Sequence, residues 1–356
     1  MSIRRTVQRF AEWRQHGDVL VLATVYETMG STYSKAGHRS LIAANGDYQG
    51  LVSGGCLEGD LAERASRIRE TRQAAAITYD LRDEADDLWG LGVGCNGLIR
   101  VFLQPLVPEQ DYEPFAAIAR RLMGTERAAV ATVIEPGGSP LALGSTLIRT
   151  ADSSESWDLD AAGAERLAGG CDEALRSGDS RYVDDDSGAG ILYSVLAPVP
   201  RLLVLGAGPD AVPLVRMAAE VGWLVTVADH RPAYIDRGGF EAAERVATID
   251  PPALGREIDL ETFDAVIVMS HHLATDRTYL AQLATIGAGY VGVLGPPARK
   301  ARLLEEVGAV GEKLRPRLKG PVGLDIGADS PESIAVSILA ELQAGRSGAV
   351  AESPAD

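Results

Sequence analysis

Along the first two hundred residues, apolar runs of strand length alternate with charged segments of helical period. Ile3 to His16 carries Val7, Phe10, Ala11 and Trp13 toward one side of an amphipathic helix. Val19 to Val25 is a continuous apolar run, as a buried strand requires. Asn45-Gly46-Asp47 joins Arg39–Ala44 to Tyr48–Val52 as a hairpin, with Asn-Gly supplying positive φ angles. Leu57 to Gln73 reads as a charged amphipathic helix, Ala76 to Asp80 and Leu98 to Leu106 as strands, and Tyr112 to Met123 as a helix.

Much of this order then recurs. Ala23-Thr24-Val25-Tyr26-Glu27 with Gly30-Ser31 is echoed by Ala131-Thr132-Val133-Ile134-Glu135 with Gly138-Ser139, and Leu41-Ile42 by Leu147-Ile148. Gly54-Gly55-Cys56-Leu57-Glu58 returns as Gly169-Gly170-Cys171-Asp172-Glu173, and Gly97-Leu98-Ile99 as Gly190-Ile191-Leu192. The echoes keep their order, so residues 1–197 read as a duplicated α+β domain, with repeats at about 19–106 and 127–199. Pro198 and Pro200 then favour an extended connector.

Beyond the connector the pattern changes to apolar strands followed by helices, spanning residues 200–345. Arg201 to Leu205 runs directly into Gly206-Ala207-Gly208-Pro209-Asp210-Ala211, a helix follows to Val221, and a second strand, Leu224 to Ala228, ends at Asp229. In that context Gly206 permits the turn, Gly208 lets a diphosphate approach the helix N-terminus, and Asp229 is placed to grip ribose hydroxyls. Asp264 to Met269 is a further parallel-type strand ending in Ser270-His271-His272, with Asp276 opening the next helix. Gly289 to Leu294 ends at Gly295, Pro297 starts a helix to Val307, and Ser330 caps a last helix from Pro331 to Ala344. Ligands bind such sheets at the carboxyl ends of strands, so His271 and Gly295 become candidate contacts. The expected fold is α/β: the duplicated domain, then a Rossmann-like doubly wound parallel sheet, with 346–356 as a frayed tail.

Charge and cysteine content narrow the functions. The net charge of −16 disfavours nucleic-acid and anionic-membrane partners, so a phosphate must be held locally by backbone N–H groups. No apolar run of spanning length and no signal-peptide core appears, and three cysteines without a Cys-x-x-Cys fit a reducing cytoplasm. The acidic run from Asp83 to Asp87 reads as a solvated face. Cys56 and Cys95 both sit in glycine-rich stretches of the first repeat, and Cys95 aligns with Gly188 in the second. Two readings stand for the pair: small residues packed beside tight turns, or thiols with a ligand or sulfur role near Glu58. Cys171, without a partner, reads as structural.

With these residues assembled, the chain resembles the XdhC/CoxI family of molybdenum-hydroxylase maturation factors over nearly its whole length. The N-terminal matches are Gly30-Ser31, Gly37-x-Arg39, Ser53-Gly54-Gly55-Cys56-x-Glu58 and Gly94-Cys95-x-Gly97. The C-terminal ones are Gly206-x-Gly208, Asp229-x-Arg231, Ser270-His271-His272 with Asp276, Tyr290-Val291-Gly292 through Gly295, and Pro321 to Gly327 leading to Pro331-Glu332-Ser333-Ile334-Ala335. The chain has Gly94-Cys95-Asn96-Gly97 where some members have Cys-Cys-Gly-Gly.

The resemblance implies a chaperone that binds molybdenum cofactor, as molybdopterin or its dinucleotide form, and assists its sulfuration and insertion. Its partners would be a molybdenum hydroxylase apo-enzyme and a cysteine-desulfurase-type sulfur donor, with a homodimer allowed. Cys56, Cys95 and Glu58 would carry the sulfur and cofactor chemistry, with molybdenum contacted through Cys56 or Cys95 and no dedicated metal cage. Arg39, Gly54, Gly55, Gly94 and Gly97 would line the cofactor site. Gly206, Gly208, Asp229, His271 and Gly295 would hold a dinucleotide, either the cofactor's own or NAD(P). The competing expectation is an NAD-dependent oxidoreductase with His271 or His272 as acid–base residue and the duplicated domain as a substrate cap.

Overall fold

The apolar run that opens the chain's first repeat becomes β1 (Leu20–Gly30), the central strand of a five-stranded antiparallel sheet. Its side chains alternate between two cores, which explains why the run is apolar throughout. Val21, Ala23 and Val25 face α2 (Glu58–Thr71), whereas Leu20 and Leu22 face α1 (Ile3–Trp13) and α3 (Phe115–Met123). The remaining strands are β2 (Arg39–Ile42), β3 (Tyr48–Gln49), β4 (Ala75–Asp80) and β5 (Gly97–Leu106), in the order β3-β2-β1-β5-β4. The structure, a computed structural model, describes residues 3–82, 97–287 and 289–347.

The second copy repeats this plan with β6 (Ala128–Glu135), β7 (Thr146–Arg149), β8 (Ser154–Trp157), β9 (Arg181–Asp184) and β10 (Gly190–Leu196), in the order β8-β7-β6-β10-β9. Its helix, α4 (Ala161–Ser177), covers Ala129, Ala131 and Val133 as α2 covers β1. The two sheets share a core in which Leu20, Leu22 and Leu106 meet Ala128, Val130 and Leu196, so the copies pack face to face. Burying both faces of each sheet is what gives β1 and β6 their unbroken apolar character.

The pattern and the structure part in a few places. Ala11 is exposed, because α1 packs chiefly through Thr6 and Phe10. In the β2–β3 hairpin only Gly46 takes a positive φ. Gly46 N donates to Ala43 O and Ala43 N to Asp47 O, making a five-residue loop in place of a two-residue turn. Tyr112 precedes α3 instead of starting it, because it takes a left-handed φ of 62°, and the helix begins after Pro114. The short strands β8 and β9 carry too little hydrophobic signal for the pattern to find them.

Residues from Pro200 form a second compact unit. Its six strands are β11 (Arg201–Leu205), β12 (Leu224–Asp229), β13 (Arg245–Thr248), β14 (Ala265–Val268), β15 (Tyr290–Val293) and β16 (Leu318–Lys319). All pair in parallel, in the order β13-β12-β11-β14-β15-β16, the doubly wound arrangement of dinucleotide-binding folds. One face packs on α5 (Ala211–Glu220) and α10 (Pro331–Ser347); the other packs on α8 (Leu273–Leu283) and α9 (Pro297–Val307), with α6 (Pro232–Asp236) and α7 (Leu254–Glu257) as short connectors. Ser330 caps α10 reciprocally: its Oγ accepts from Ser333 N at 3.2 Å while its own N–H donates to Ser333 Oγ at 2.9 Å.

Candidate functional site

Between β3 and α2 the chain makes a loop that only glycine permits: Gly54 and Gly55 have φ of 80° and 119°. Glu58, the first residue of α2, folds back into this loop and is nearly fully buried. One carboxylate oxygen accepts from Val52 N at 2.9 Å and Ser53 N at 3.0 Å; the other accepts from Ser53 Oγ at 2.6 Å and Gly55 N at 2.9 Å. Burial alone would raise the Glu58 pKa, but the hydrogen bonds from Ser53 and Val52 outweigh it and hold the carboxyl below its usual range. Ser53 Oγ in turn accepts from Leu57 N at 2.7 Å. Glu58, expected to share in sulfur and cofactor chemistry, is here engaged by four donors. Its oxygens are saturated, and it fixes the loop that presents Cys56.

Cys56 is exposed on that fixed loop. Tyr33 lies over Gly54, where any added Cβ would sit 3.3 Å from the ring. Gly97 belongs to the same place: a Cβ there would meet Ser31 O at 2.5 Å, and Gly97, Ser31, Tyr33 and Cys56 line one small recess. Beside it, Cys56 borders a cleft of about 480 Å³ with Asp60, Arg64 and Tyr79. Asp60 accepts from both Tyr79 Oη and Arg64 Nε at 2.5 Å, and the Arg64 guanidinium lies over the Tyr79 ring. Sequence reading missed this trio. The Asp60–Arg64 spacing of four on a helix was a visible signal, but Tyr79 joins it only through the fold. Cys95 and Gly94 lie outside the described residues, as does the acidic run from Asp83 to Asp87.

The second copy has no counterpart of the loop. Gly169-Gly170-Cys171 sits inside α4, whereas Gly54-Gly55-Cys56 precedes α2, so the echoed phrase does not occupy equivalent positions. A Cβ at Gly170 would lie 2.2 Å from the Tyr193 ring, so a larger residue there would have to displace that ring. Cys171 is fully buried, and burial pushes its thiol up to about 12, which fits the structural reading. Where the first copy has the cysteine loop, α4 starts directly from Asp160, whose side chain accepts from Gly163 N at 2.7 Å.

Arg39, expected to line the cofactor site, pairs across the two copies. It donates to Gly37 O at 3.1 Å and to Ser194 Oγ at 2.7 Å on β10, and so ties the first sheet to the second. Burial at this seam pulls its guanidinium down to about 10.

In the C-terminal unit Gly206 adopts a φ of 136°, and a Cβ would lie 2.4 Å from Met269 O, so the turn after β11 needs glycine as its motif implies. Asp229 at the end of β12 is fully buried. It accepts from Ala207 N at 2.7 Å and from Arg231 through N at 2.9 Å, Nε at 2.9 Å and an NH2 nitrogen at 2.8 Å. Burial opposes its ionisation, but Arg231 and the Ala207 N–H more than compensate and lower its pKa. As placed, Asp229 offers no surface to a ribose, contrary to the expected grip. His271 stands at the end of β14 with a φ of 59°, and its Nε2 is 2.7 Å from Asp210 Oδ2. His271 and Gly295 do share one cleft of about 940 Å³, along the ends of β14, β15 and β16, with Leu294, Arg299 and Asp325. Arg299 is held there by Asp276 at 2.6 Å, and Asp276 in turn accepts from Ser270 Oγ at 2.5 Å. No group of three or more His, Cys, Asp or Glu side chains is arranged as a metal site among the described residues.

Comparison with known proteins bears on both units. Residues 13–80 match the XdhC and CoxI family, and residues 202–342 match the XdhC Rossmann domain. The chain is 34% identical over 325 residues to a probable xanthine dehydrogenase subunit of Bacillus subtilis, covering 90% of this chain and 92% of that one. It is 24% identical over 341 residues to the molybdenum cofactor insertion chaperone PaoD of Escherichia coli, covering 95% of this chain and 87% of the relative. A crystal structure described as a xanthine dehydrogenase from Bacillus halodurans superposes with a TM-score of 0.78 at 28% identity, covering 99% of this chain and 98% of the other.

Proposed function

The chain belongs to the XdhC and CoxI family, whose place is in molybdenum-hydroxylase maturation, and from that premise we propose that it carries molybdenum cofactor as cargo on its N-terminal unit. One observation carries this reading: Cys56 is an exposed thiol on a loop fixed by four hydrogen bonds to Glu58, at the mouth of a cleft of about 480 Å³. Thiolate is a soft ligand suited to molybdenum, and a rigid presenting loop lowers the entropic cost of binding. The similarity to an insertion chaperone supports the same reading.

In this reading Cys56 contacts the metal, with Cys95, two residues before Gly97 in the chain, as the second candidate thiol. Gly54, Gly55 and Gly97 let the cargo approach the backbone, and Tyr79, Asp60 and Arg64 wall the cleft beside it. The cargo is molybdopterin or its dinucleotide form, sulfurated while held by a cysteine-desulfurase-type donor and then passed to a molybdenum hydroxylase apo-enzyme. The setting is the cytoplasm, with the carrier working as a monomer or a homodimer. Among the described residues no helix is long and apolar enough to cross a membrane.

The test is anaerobic purification from a cofactor-producing host, with molybdenum and pterin quantified per chain. Wild type is expected to carry near-stoichiometric cofactor and Cys56→Ala to lose it, with Cys95→Ala showing whether the second thiol shares the load. Absence of pterin from wild type, even after loading with isolated cofactor, would overturn the reading.

A further inference from the structure

The strand order of the C-terminal sheet places its topological switch between β11 and β14. A dinucleotide bound there would lay its diphosphate over the turn after β11 and give a ribose to the acid at the end of β12. The side chains at this place do not fit that ligand: Arg231 opposes it in two ways, and the Asp210–His271 pair in a third.

The acid is closed. Asp229 has no exposed surface, and its oxygens are taken by Ala207 N and by three donors of Arg231. A ribose hydroxyl would have to displace a bidentate guanidinium, which is among the stronger side-chain pairings.

The crossing is barred. While Arg231 holds Asp229 at the end of β12, it also donates to Ser270 O at 3.1 Å, just beyond β14. Because β11 lies between those strands, the guanidinium spans its carboxyl end, braced at 3.8 Å over the Tyr234 ring.

The turn is covered. Gly208 is the glycine that should admit the diphosphate, yet a Cβ built on it would lie 2.5 Å from Asp210 Oδ1 and 3.9 Å from His271 Cδ2. The Asp210 carboxylate, bound to His271, thus stands over the turn and sets negative charge at the N-terminal end of α5, where an incoming diphosphate would need positive potential.

We infer that the Rossmann unit of this protein is latched shut against nicotinamide dinucleotides by its own Asp229–Arg231 and Asp210–His271 pairs. The unit keeps the fold of a dinucleotide-binding domain and the glycine its turn requires, but occupies the ligand's positions with its own charged groups. Among the described residues an open cleft lies on the other side of the switch, along β14 to β16. The inference does not depend on cofactor carriage by the N-terminal unit.

Calorimetric titration of the full chain with NADH and with NADPH tests it. Wild type is expected to show no saturable binding up to about 1 mM, and a one-to-one dissociation constant in the low micromolar range for either would overturn the inference. Asp210→Ser removes the covering carboxylate from a partly exposed position and keeps a residue suited to a helix N-terminus. Combined with Arg231→Ala, it is expected to produce saturable NADH binding, at least about tenfold tighter than any wild-type signal. A double variant that folds, by its thermal melt, and gains nothing would show that the latch is not what excludes the ligand. If the double variant does not fold, Asp210→Ser combined with Arg231→Gln, which keeps a neutral donor beside Asp229 while removing the guanidinium, is judged by the same criterion.

Discussion

Cys56, Glu58 and Cys171 show how local surroundings decide what a side chain does. Cys56 and Cys171 stand in nearly the same five-residue phrase, yet one is exposed on a glycine loop and the other is inside a helix. Alkylation with iodoacetamide under native conditions, read by peptide mass mapping, is expected to label Cys56 readily and to leave Cys171 unmodified until the chain is denatured. Labelling of both at similar rates would contradict the burial. Glu58 is an acceptor for four donors, so Glu58→Gln presents an amide NH2 to groups that are themselves donors. This variant is expected to lose about 1–3 kcal/mol of stability, seen as a lower denaturation midpoint, together with cofactor carriage. Cys56→Ala, by contrast, should lose carriage with little change in stability, because an exposed thiol contributes little to packing.

At the scale of elements, the turns and caps carry consequences that the strands do not. Gly206 combines a φ of 136° with a Cβ position 2.4 Å from Met269 O. Gly206→Ala must therefore move β14 relative to β11 or distort the turn, and a loss above about 2 kcal/mol is expected in chemical denaturation. Ser330 caps α10, which pins the loop from Pro321 to Gly327 through Ser337 Oγ to Leu324 O at 2.5 Å and through Glu341 to Gly323 N at 2.7 Å. Ser330→Ala should cost about 1 kcal/mol. Hydrogen exchange at 321–327 should rise with it if that loop depends on the helix, and unchanged protection would show that the loop holds itself.

At the scale of the whole molecule, charge sets the response to pH. Asp229 titrates below its usual range because Arg231 and the Ala207 N–H outweigh its burial. Glu58 does so because hydrogen bonds from Ser53 and Val52 outweigh burial. Asp185 is held near 2 by Ser187, Arg166 and backbone N–H groups, again against its burial. In each case the folded state binds its proton less readily than the unfolded chain. The stabilisation is therefore complete above the ordinary carboxyl range of about 4 and is lost as pH falls through the lower folded values. Acid titration followed by circular dichroism should show both units losing stability between about pH 4 and 2, and constant stability across that window would contradict these environments.

The longer elements and their order were legible in the chain itself, whereas the short strands β8, β9, β13 and β16 were not. Apolar runs of strand length, a 3.6-residue period and a glycine turn between strand and helix each reflect local backbone physics. So the duplicated domain, the parallel sheet, the Gly206 turn and the Ser330 cap could be read without coordinates. The recurrence of Gly-Gly-Cys was legible too, but misleading, because five residues do not specify whether they begin a helix or lie within one. What the tertiary structure alone decided is which groups face each other. Glu58 turns back into its own loop, Arg39 crosses to Ser194 in the other copy, and Tyr79 joins Asp60 and Arg64. Asp229 turns inward to Arg231, and Asp210 closes with His271 over Gly208. These pairings join residues from different strands and loops, and their directions depend on burial and on competition among hydrogen-bond partners. A motif fixes where the backbone turns; the packed fold determines whether the side chains there are free to bind anything else.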